Sequence, residues 1–554
     1  MKKQGFLYGS AVLIASAVIV KIIGALFRIP LANMLGGTGM GYFSAAYGIF
    51  MPVYAVSVTG LPAAAARSVS AAAARGREGE TDAVKRTALS LFGLVGLVGT
   101  AVILLGAYPL CRFVSGDIPA VPAVMAIAPS VLAGCLVSVY RGCSEGMRNM
   151  YPTAVSQVIE ACAKLIFGLS LCGGCLWLSE NRPELFLRIT GCERLGISAS
   201  EAALPYSAAA AVFGITLSSF AGLIYMIIRD RHDDIPRSDR LPHRETVRIR
   251  KELLRTAVPA AVGALVINLT SLIDLVTVMR SLRTLTKTAP WIFSDLLGAG
   301  IAYSDIPNFI YGSFTGLAVT VFNLVPSVTN MFGKSMLPAA AAAKAEGDIK
   351  RLGECSGGAV LAAALASVPA GLGIAALAEP ILSTLFGGRE LEISVCVNAM
   401  IVLGIAVPFV CISSAAFAVL QAADRADIPV KIMAVGAAVK LFGNIFLTAD
   451  PRLGVTGAAI ATLMCYIFIC ICSLIMLSKH GGFDGRGFFY SFLKIFSCGL
   501  LCGAAAFLTC SRLSEHGNIL ISTAVSCGVG AIIYILSTYF SGIITKSTLK
   551  MLIS

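Results

Sequence analysis

Fourteen successive stretches of about 20 apolar residues decide what this 554-residue chain can fold into. They fall near residues 7–29, 41–63, 88–109, 122–143, 152–178, 204–228, 253–279, 307–332, 356–377, 396–420, 430–448, 453–477, 489–510 and 519–540. As an α-helix, each is long enough to cross a hydrocarbon core of ~30 Å. Little remains from which to build a soluble surface. Only 13% of residues are charged, against ~25% in a soluble protein, and mean hydropathy is +0.84. The 55 glycines and 22 prolines sit within apolar stretches, as membrane helices tolerate. A soluble enzyme, a disordered chain and a disulfide scaffold are excluded. The chain reads as an all-α polytopic membrane protein with fourteen transmembrane helices. Its N-terminus, with Lys2, Lys3 and Ala15-Ser16-Ala17, mimics a signal peptide, but the run continues to Ile29 and reads as a retained first helix.

An even number of spans puts both termini on one side. With the termini inside, cytoplasmic segments and span ends hold 29 of the 43 Lys and Arg, outer ones 11, and three lie within spans. The longest inner segment, Arg229 to Arg255, is strongly basic. The net charge of +13 therefore marks cytoplasmic loops and does not call for nucleic acid. Trp177 and Trp291 fall at outer segments, as interfacial anchors do. Most of the 17 cysteines lie in apolar stretches, where Cys acts as a small hydrophobe. Cys172 and Cys175 form a lone CxxC without a second pair or a nearby His, so no metal site is expected. All four histidines (His232, His243, His480, His516) read as loop residues.

Two matches reveal an internal repeat. Leu61-Pro62 is followed by an alanine-rich stretch, Glu78-Gly79-Glu80 and Lys85-Arg86. Leu337-Pro338 is followed by an alanine run, Glu346-Gly347-Asp348 and Lys350-Arg351. Further on, Arg148, Pro152 and Lys164-Leu165-Ile166-Phe167-Gly168 correspond to Arg425, Pro429 and Lys440-Leu441-Phe442-Gly443. Six spans separate the copies, so both face the same way, and the chain divides into an N-terminal lobe (1–228), a basic cytoplasmic linker (229–252), a C-terminal lobe (253–477) and two accessory spans with a tail (478–554). Parallel repeats place substrate sites at their interface, so a central cavity between two six-helix lobes is expected.

Ionisable groups within a membrane are costly and are functional candidates by default. Those well inside spans are Lys21, Glu160, Lys164, Asp274 and Lys440, with Arg28 at the outer end of span 1. Lys21 and Arg28 are two turns apart on one face, about 10 Å along the axis, and suit a polyanion such as a diphosphate. The plainer reading of Arg28 is that it snorkels to outer headgroups. Glu160 and Lys164 stand in i,i+4 order and read best as a self-neutralising pair. Asp274 and Lys440 suit a pair across helices, or Asp274 a coupling proton or cation. Asn268, Asn323 and Asn444 read as interhelical hydrogen-bonding groups. Four cations against two carboxylates favour an anionic substrate. Gly36-Gly37-Thr38-Gly39-Met40-Gly41 reads as a flexible hairpin between spans, since no strand precedes it as a phosphate loop would need. Pro52, Pro259, Pro326 and Pro408 interrupt spans as kinks or hinges.

Several stretches resemble the stage V sporulation protein B group of polysaccharide-biosynthesis flippases, which is similar to the MurJ-type lipid II flippases. They are KIIGALFRIPLANMLGGTGMGYFSAAYGIF with TGLPAAAARSVSAAAARG, YGSFTGLAVTVFNLVPSVTNMFGKSMLPAAAAA, EPILSTLFGG, and IPVKIMAVGAAVKLFGNIFL followed by GVTGAAIATLMCYI. The resemblance covers most of the chain and implies the two-lobed, V-shaped fold of the multidrug/oligosaccharidyl-lipid/polysaccharide exporter superfamily. It further implies movement of an undecaprenyl-diphosphate-linked sugar from the inner to the outer leaflet. In MurJ-type proteins basic residues of span 1 and the end of span 2 line the cavity; the matching positions are Lys21, Arg28 and Arg67. Lys21 stands where those proteins tend to have Arg, which keeps charge but loses bidentate geometry. Some relatives bind a cation in the second lobe. Here Lys440 beside Asn444 argues against sodium and leaves the ammonium to replace it. The two extra spans resemble those thought to hold the prenyl tail.

The sequence thus points to an alternating-access flippase in the bacterial cell membrane, without covalent chemistry or a cofactor. Its expected partners are an anionic polyprenyl-diphosphate-linked sugar, membrane lipids and cell-wall synthesis proteins. Exporters of other lipid-linked polysaccharide units share these features. A drug:cation antiporter would favour a carboxylate in span 1, where this chain has Lys21 and Arg28. A membrane glycosyltransferase or polymerase would need clustered outer carboxylates, whereas Asp117, Asp295, Asp305 and Glu390 are scattered.

Overall fold

The structure is a computed structural model and describes residues 6–74, 78–232, 243–514 and 518–543. Residues 233–242 of the predicted linker, His516 and the tail after Ile543 lie outside the described residues. Among the described residues there is no strand. The helices are α1 (Phe6–Val58), α2 (Leu61–Ala74), α3 (Glu78–Leu110), α4 (Val121–Ile127), α5 (Pro129–Gly146), α6 (Tyr151–Asn181), α7 (Pro183–Thr190), α8 (Ala199–His232) and α9 (His243–Thr288). There follow α10 (Ser294–Gly298), α11 (Ile306–Ser313), α12 (Val319–Glu346), α13 (Ile349–Ala376), α14 (Ala378–Leu385) and α15 (Glu390–Ala422). The last are α16 (Asp427–Leu447), α17 (Val455–Gly481), α18 (Gly485–Ser514) and α19 (Ile519–Phe540). His232 ends α8, His243 opens α9 and His480 lies in the last turn of α17, so these three histidines are on helix ends and not in loops.

Among the described residues, thirteen helical segments are long and apolar enough to cross a membrane, and the first, Val12–Ala74, runs for 63 residues. That one segment covers the first two predicted spans. Within α1 the regularity breaks only at Gly36, whose φ of 62° and ψ of −171° belong to a region open essentially to glycine alone, and a turn at Thr59-Gly60 leads into α2. The ring centroids of Phe27 and Phe43 are 6.5 Å apart, where a straight helix of that length would separate the residues by about 24 Å. The two arms of α1 therefore fold back on each other at one residue. The flexible hairpin expected over 36–41 is not formed: residues 37–41 are already helical and almost all buried. Glycine enrichment there serves a tight turn, and a Cβ on Gly39 would lie 2.8 Å from that of Leu35.

The chain forms two compact units, Met1–Val276 and Thr277–Ser554. The division falls inside α9, beyond the boundary at 253 read from the sequence, because Gly60 fits against Ala257 and Ala260 and Gly48 against Leu275.

In the first unit, small residues set the closest helix crossings, as they do where lipid offers no hydrophobic drive. A Cβ on Gly142 of α5 would come within 2.4 Å of the Pro62 carbonyl oxygen on α2, and one on Gly214 of α8 within 2.5 Å of Gly168 on α6. Helices α6 and α8 thus meet backbone to backbone. Near the predicted cytoplasmic side, Lys85 of α3 pairs with Asp230 of α8, and Arg248 of α9 pairs with Glu80 of α3 at 3.3 Å.

In the second unit, α13 and α15 cross at Gly371 and Gly404, where a Cβ on Gly371 would lie 2.5 Å from the Gly404 carbonyl. Helix α16 meets α17 at Gly443 and Ala461. The accessory helices dock here. Gly499 of α18 lies against Val368 of α13, and Tyr534 of α19 donates its hydroxyl to the Leu365 carbonyl at 2.9 Å. Residues 314–318 of the eighth predicted span form a buried π-helical turn, a feature that hydropathy does not signal.

Candidate functional site

The first arm of α1 carries Lys21 and Arg28. Lys21 is exposed, close to the outward apolar face formed by Ile14, Val18, Ile22 and Leu26, while Arg28 is half-buried beside fully buried Phe27. Arg67 is exposed on a separate helix, α2, one turn from Ser70, whose hydroxyl donates to the Gly146 carbonyl at 2.8 Å. Lys21 and Arg28 share one helix, and Arg67 is held on the α2–α5 crossing.

The expected pair of Glu160 and Lys164 is not formed. Glu160 instead takes an ion pair from Arg141 of α5, Nη2 to Oε2 at 2.9 Å, and Arg141 also donates Nε to Ser156 Oγ at 2.8 Å. A Cβ on Gly222 of α8 would lie 2.5 Å from Glu160 Oε1, so three helices enclose the carboxylate. An i,i+4 contact in a helix contributes only about 0.2–0.5 kcal/mol, and a mostly buried ion pair with a guanidinium on a neighbouring helix outweighs it.

Lys164 is left to aromatic partners. Its ammonium lies 4.7 Å from the Phe27 ring centroid and 5.8 Å from that of Tyr47, with Tyr47 Oη at 3.4 Å. No carboxylate among the described residues stands within ion-pair distance of it. Phe27 is fixed from below, since a Cβ on Gly168, one turn beyond Lys164, would meet its ring at 2.5 Å. Tyr47 continues an array of rings along the second arm, stacked on Phe43 at 4.9 Å and edge-on to Phe50 at 6.1 Å.

In the second unit, Lys440 and Asn444 are buried on α16, and Asn444 Nδ2 donates to Thr277 Oγ1 at 2.9 Å. Asp274 is half-buried on α9. Lys440 lies about one turn from that hydrogen bond along α16, whereas Asp274 belongs to the first unit. Asn444 thus makes the expected interhelical bond. Asn268 does not: it donates to the Ala264 carbonyl of its own helix at 2.8 Å, and Asn323 is exposed.

Sequence reading missed Arg141, which sits at the predicted inner end of span 4 and was counted with the cytoplasmic charges. It also missed the aromatic surroundings of Lys164. Phe27 next to Arg28 is the one signal that was available. Arg141 and Glu160 pair, which leaves Lys164 on aromatic partners; Lys21 and Arg28 on α1 are further cations of the first unit, and Asp274 on α9 is a further carboxylate. Cationic side chains of this kind can hold and orient an anion.

The chain is similar to known proteins over most of its length. The polysaccharide biosynthesis protein family matches residues 6–178. The stage V sporulation protein B of Bacillus subtilis (strain 168) is 24% identical over 543 residues, covering 96% of this chain and 95% of the relative. Among solved structures, the lipid II flippase MurJ in an inward closed conformation superimposes with a TM-score of 0.66 at 13% identity, covering 96% of this chain and 98% of the other. A multidrug resistance MATE family transporter of the MOP superfamily, in an inward-facing conformation, gives 0.63 at 13% identity over 85% of this chain and 98% of the other. The chain therefore resembles the stage V sporulation protein B group along nearly its whole length and has the helical fold of the MurJ and MATE transporters.

Proposed function

We propose that this chain is a flippase that carries an undecaprenyl-diphosphate-linked sugar, of the lipid II kind, from the inner to the outer leaflet of a bacterial cell membrane. The observation that carries this reading is the sign of the intramembrane charge in the first unit. With Glu160 engaged by Arg141, Lys164 has no carboxylate within ion-pair distance among the described residues, and the membrane segments of this unit carry Lys21, Arg28 and Lys164 against Asp274. Cations within a membrane segment call for an anionic ligand or a carboxylate partner. Lys21, Arg28 and Arg67 are assigned to the diphosphate, and the prenyl tail stays in lipid. Alternating access then exposes the headgroup first to one side and then to the other. The barrier is desolvation of a polar headgroup, so positioning and charge suffice and no bond is made or broken.

Lys440 and Asn444 of the second unit and Asp274 of α9 are assigned to coupling, with the Lys440 ammonium in place of a bound metal cation. Both termini are cytoplasmic in this account. The similarity to a MATE transporter raises drug:cation antiport as a second reading, and the cations of span 1 disfavour it.

Rescue of a bacterial strain depleted of its own lipid-linked precursor flippase tests the substrate. Expression of this chain restores growth and clears the accumulated polyprenyl-diphosphate sugar, identified by mass spectrometry. Accumulation that persists despite normal expression sinks the assignment to that precursor.

A further inference from the structure

The geometry points to Lys164 as an additional anion-binding residue, seated on a Phe27–Tyr47 platform, that takes a phosphate of the lipid-linked headgroup. This rests on the proposed flippase function and adds a contact from α6 to those of α1 and α2.

Three observations converge. First, the side chain that could have neutralised Lys164 within its own helix, Glu160, is held by Arg141 at 2.9 Å. Second, the partners of the ammonium are the faces of Phe27 and Tyr47 and the Tyr47 hydroxyl. An aromatic face attracts a cation without cancelling its charge, so the positive field of Lys164 remains available to a ligand. A carboxylate partner would have removed that field. Third, the platform is built to be rigid: Phe27 is fully buried against Gly168, and Gly168 is itself in backbone contact with Gly214.

The repeat sharpens the point. Lys164 and Lys440 occupy corresponding positions in KLIFG and KLFG, yet Lys440 is 6% exposed and Lys164 is only half-buried. The first-unit lysine is thus the one a ligand can reach. Tyr47 is also half-buried, and its hydroxyl can donate a second hydrogen bond to a phosphate oxygen.

A phosphate at this position could come from the transported lipid or from an anionic phospholipid of the bilayer. Native mass spectrometry of the full-length protein, with undecaprenyl diphosphate, phosphatidylglycerol or phosphatidylcholine as probes, separates these sources. The wild-type chain is expected to retain undecaprenyl diphosphate over both phospholipids. Lys164→Met is expected to weaken that retention roughly tenfold, as loss of one charge-assisted hydrogen bond implies. Lys164→Arg is expected to stay within about threefold of wild type, and melting temperatures should be alike in all three proteins. Unchanged retention in Lys164→Met overturns the inference while leaving the flippase reading intact. So does loss of phosphatidylglycerol, but not of undecaprenyl diphosphate, in that variant. If the wild-type chain itself does not prefer undecaprenyl diphosphate, the flippase reading fails as well.

Discussion

Arg141 and Glu160 show how much a single pairing changes the electrostatics of the first unit. Taken in sequence, Glu160 neutralises Lys164; in the fold it neutralises Arg141, and the excess positive charge moves to the aromatic platform. Both partners are mostly buried, so removing one leaves the other with an uncompensated charge. Glu160→Gln is therefore expected to destabilise the purified protein by about 2–5 kcal/mol. The double variant Glu160→Gln/Arg141→Met should recover part of that loss, since both charges are then gone. Thermal unfolding in detergent checks both statements. A Glu160→Gln protein as stable as wild type would mean that the pair contributes little. This pairing was beyond sequence reading for a definite reason. Helical spacing names only neighbours on the same helix, whereas Arg141 belongs to α5 and looked like one more cytoplasmic charge.

Helices were the most legible level of organisation. Hydropathy located every apolar stretch, because a membrane span must be both long and apolar. Boundaries and turns were less legible. The Gly36–Gly41 run suggested a loop, yet the reversal needs only Gly36, and helix resumes at the next residue. Gly36→Ala would force a Cβ into a conformation that costs about 1–3 kcal/mol. We expect a lower melting temperature for it, with Gly37→Ala less affected because Gly37 is regular helix; equal effects at the two positions would contradict the turn assignment. Glycines at helix crossings carry a comparable constraint. Gly214→Leu must push α8 away from Gly168, and it is expected to abolish accumulation of folded protein, measured by size-exclusion chromatography of a fluorescent fusion. The repeat is visible here too. Gly168 and Gly443, which close the two lysine motifs, each pack on the helix of the following span, at Gly214 and Ala461.

At the scale of the whole molecule, the distribution of Lys and Arg predicts a topology with both ends inside. Alkaline phosphatase fused after Ser554 should be inactive, whereas a fusion within the predicted outer segment after Trp291 should be active. The reverse pattern would invert the direction of transport. The chain forms two compact units, and the similarity of its fold to the MurJ and MATE structures extends over most of the chain. What sequence could not supply was which charges survive as net charge once the helices pack, because that depends on neighbours far apart along the chain. The central claim is that cations of the first unit bind the lipid-linked diphosphate that is proposed to cross the membrane. Its most direct test is a leaflet-accessibility assay in proteoliposomes holding a fluorescent undecaprenyl-diphosphate sugar. The wild-type chain should render the inner-leaflet pool accessible, and Lys21→Ala and Arg28→Ala should each slow this about tenfold or more at equal protein content. Wild-type rates in both variants would contradict the account.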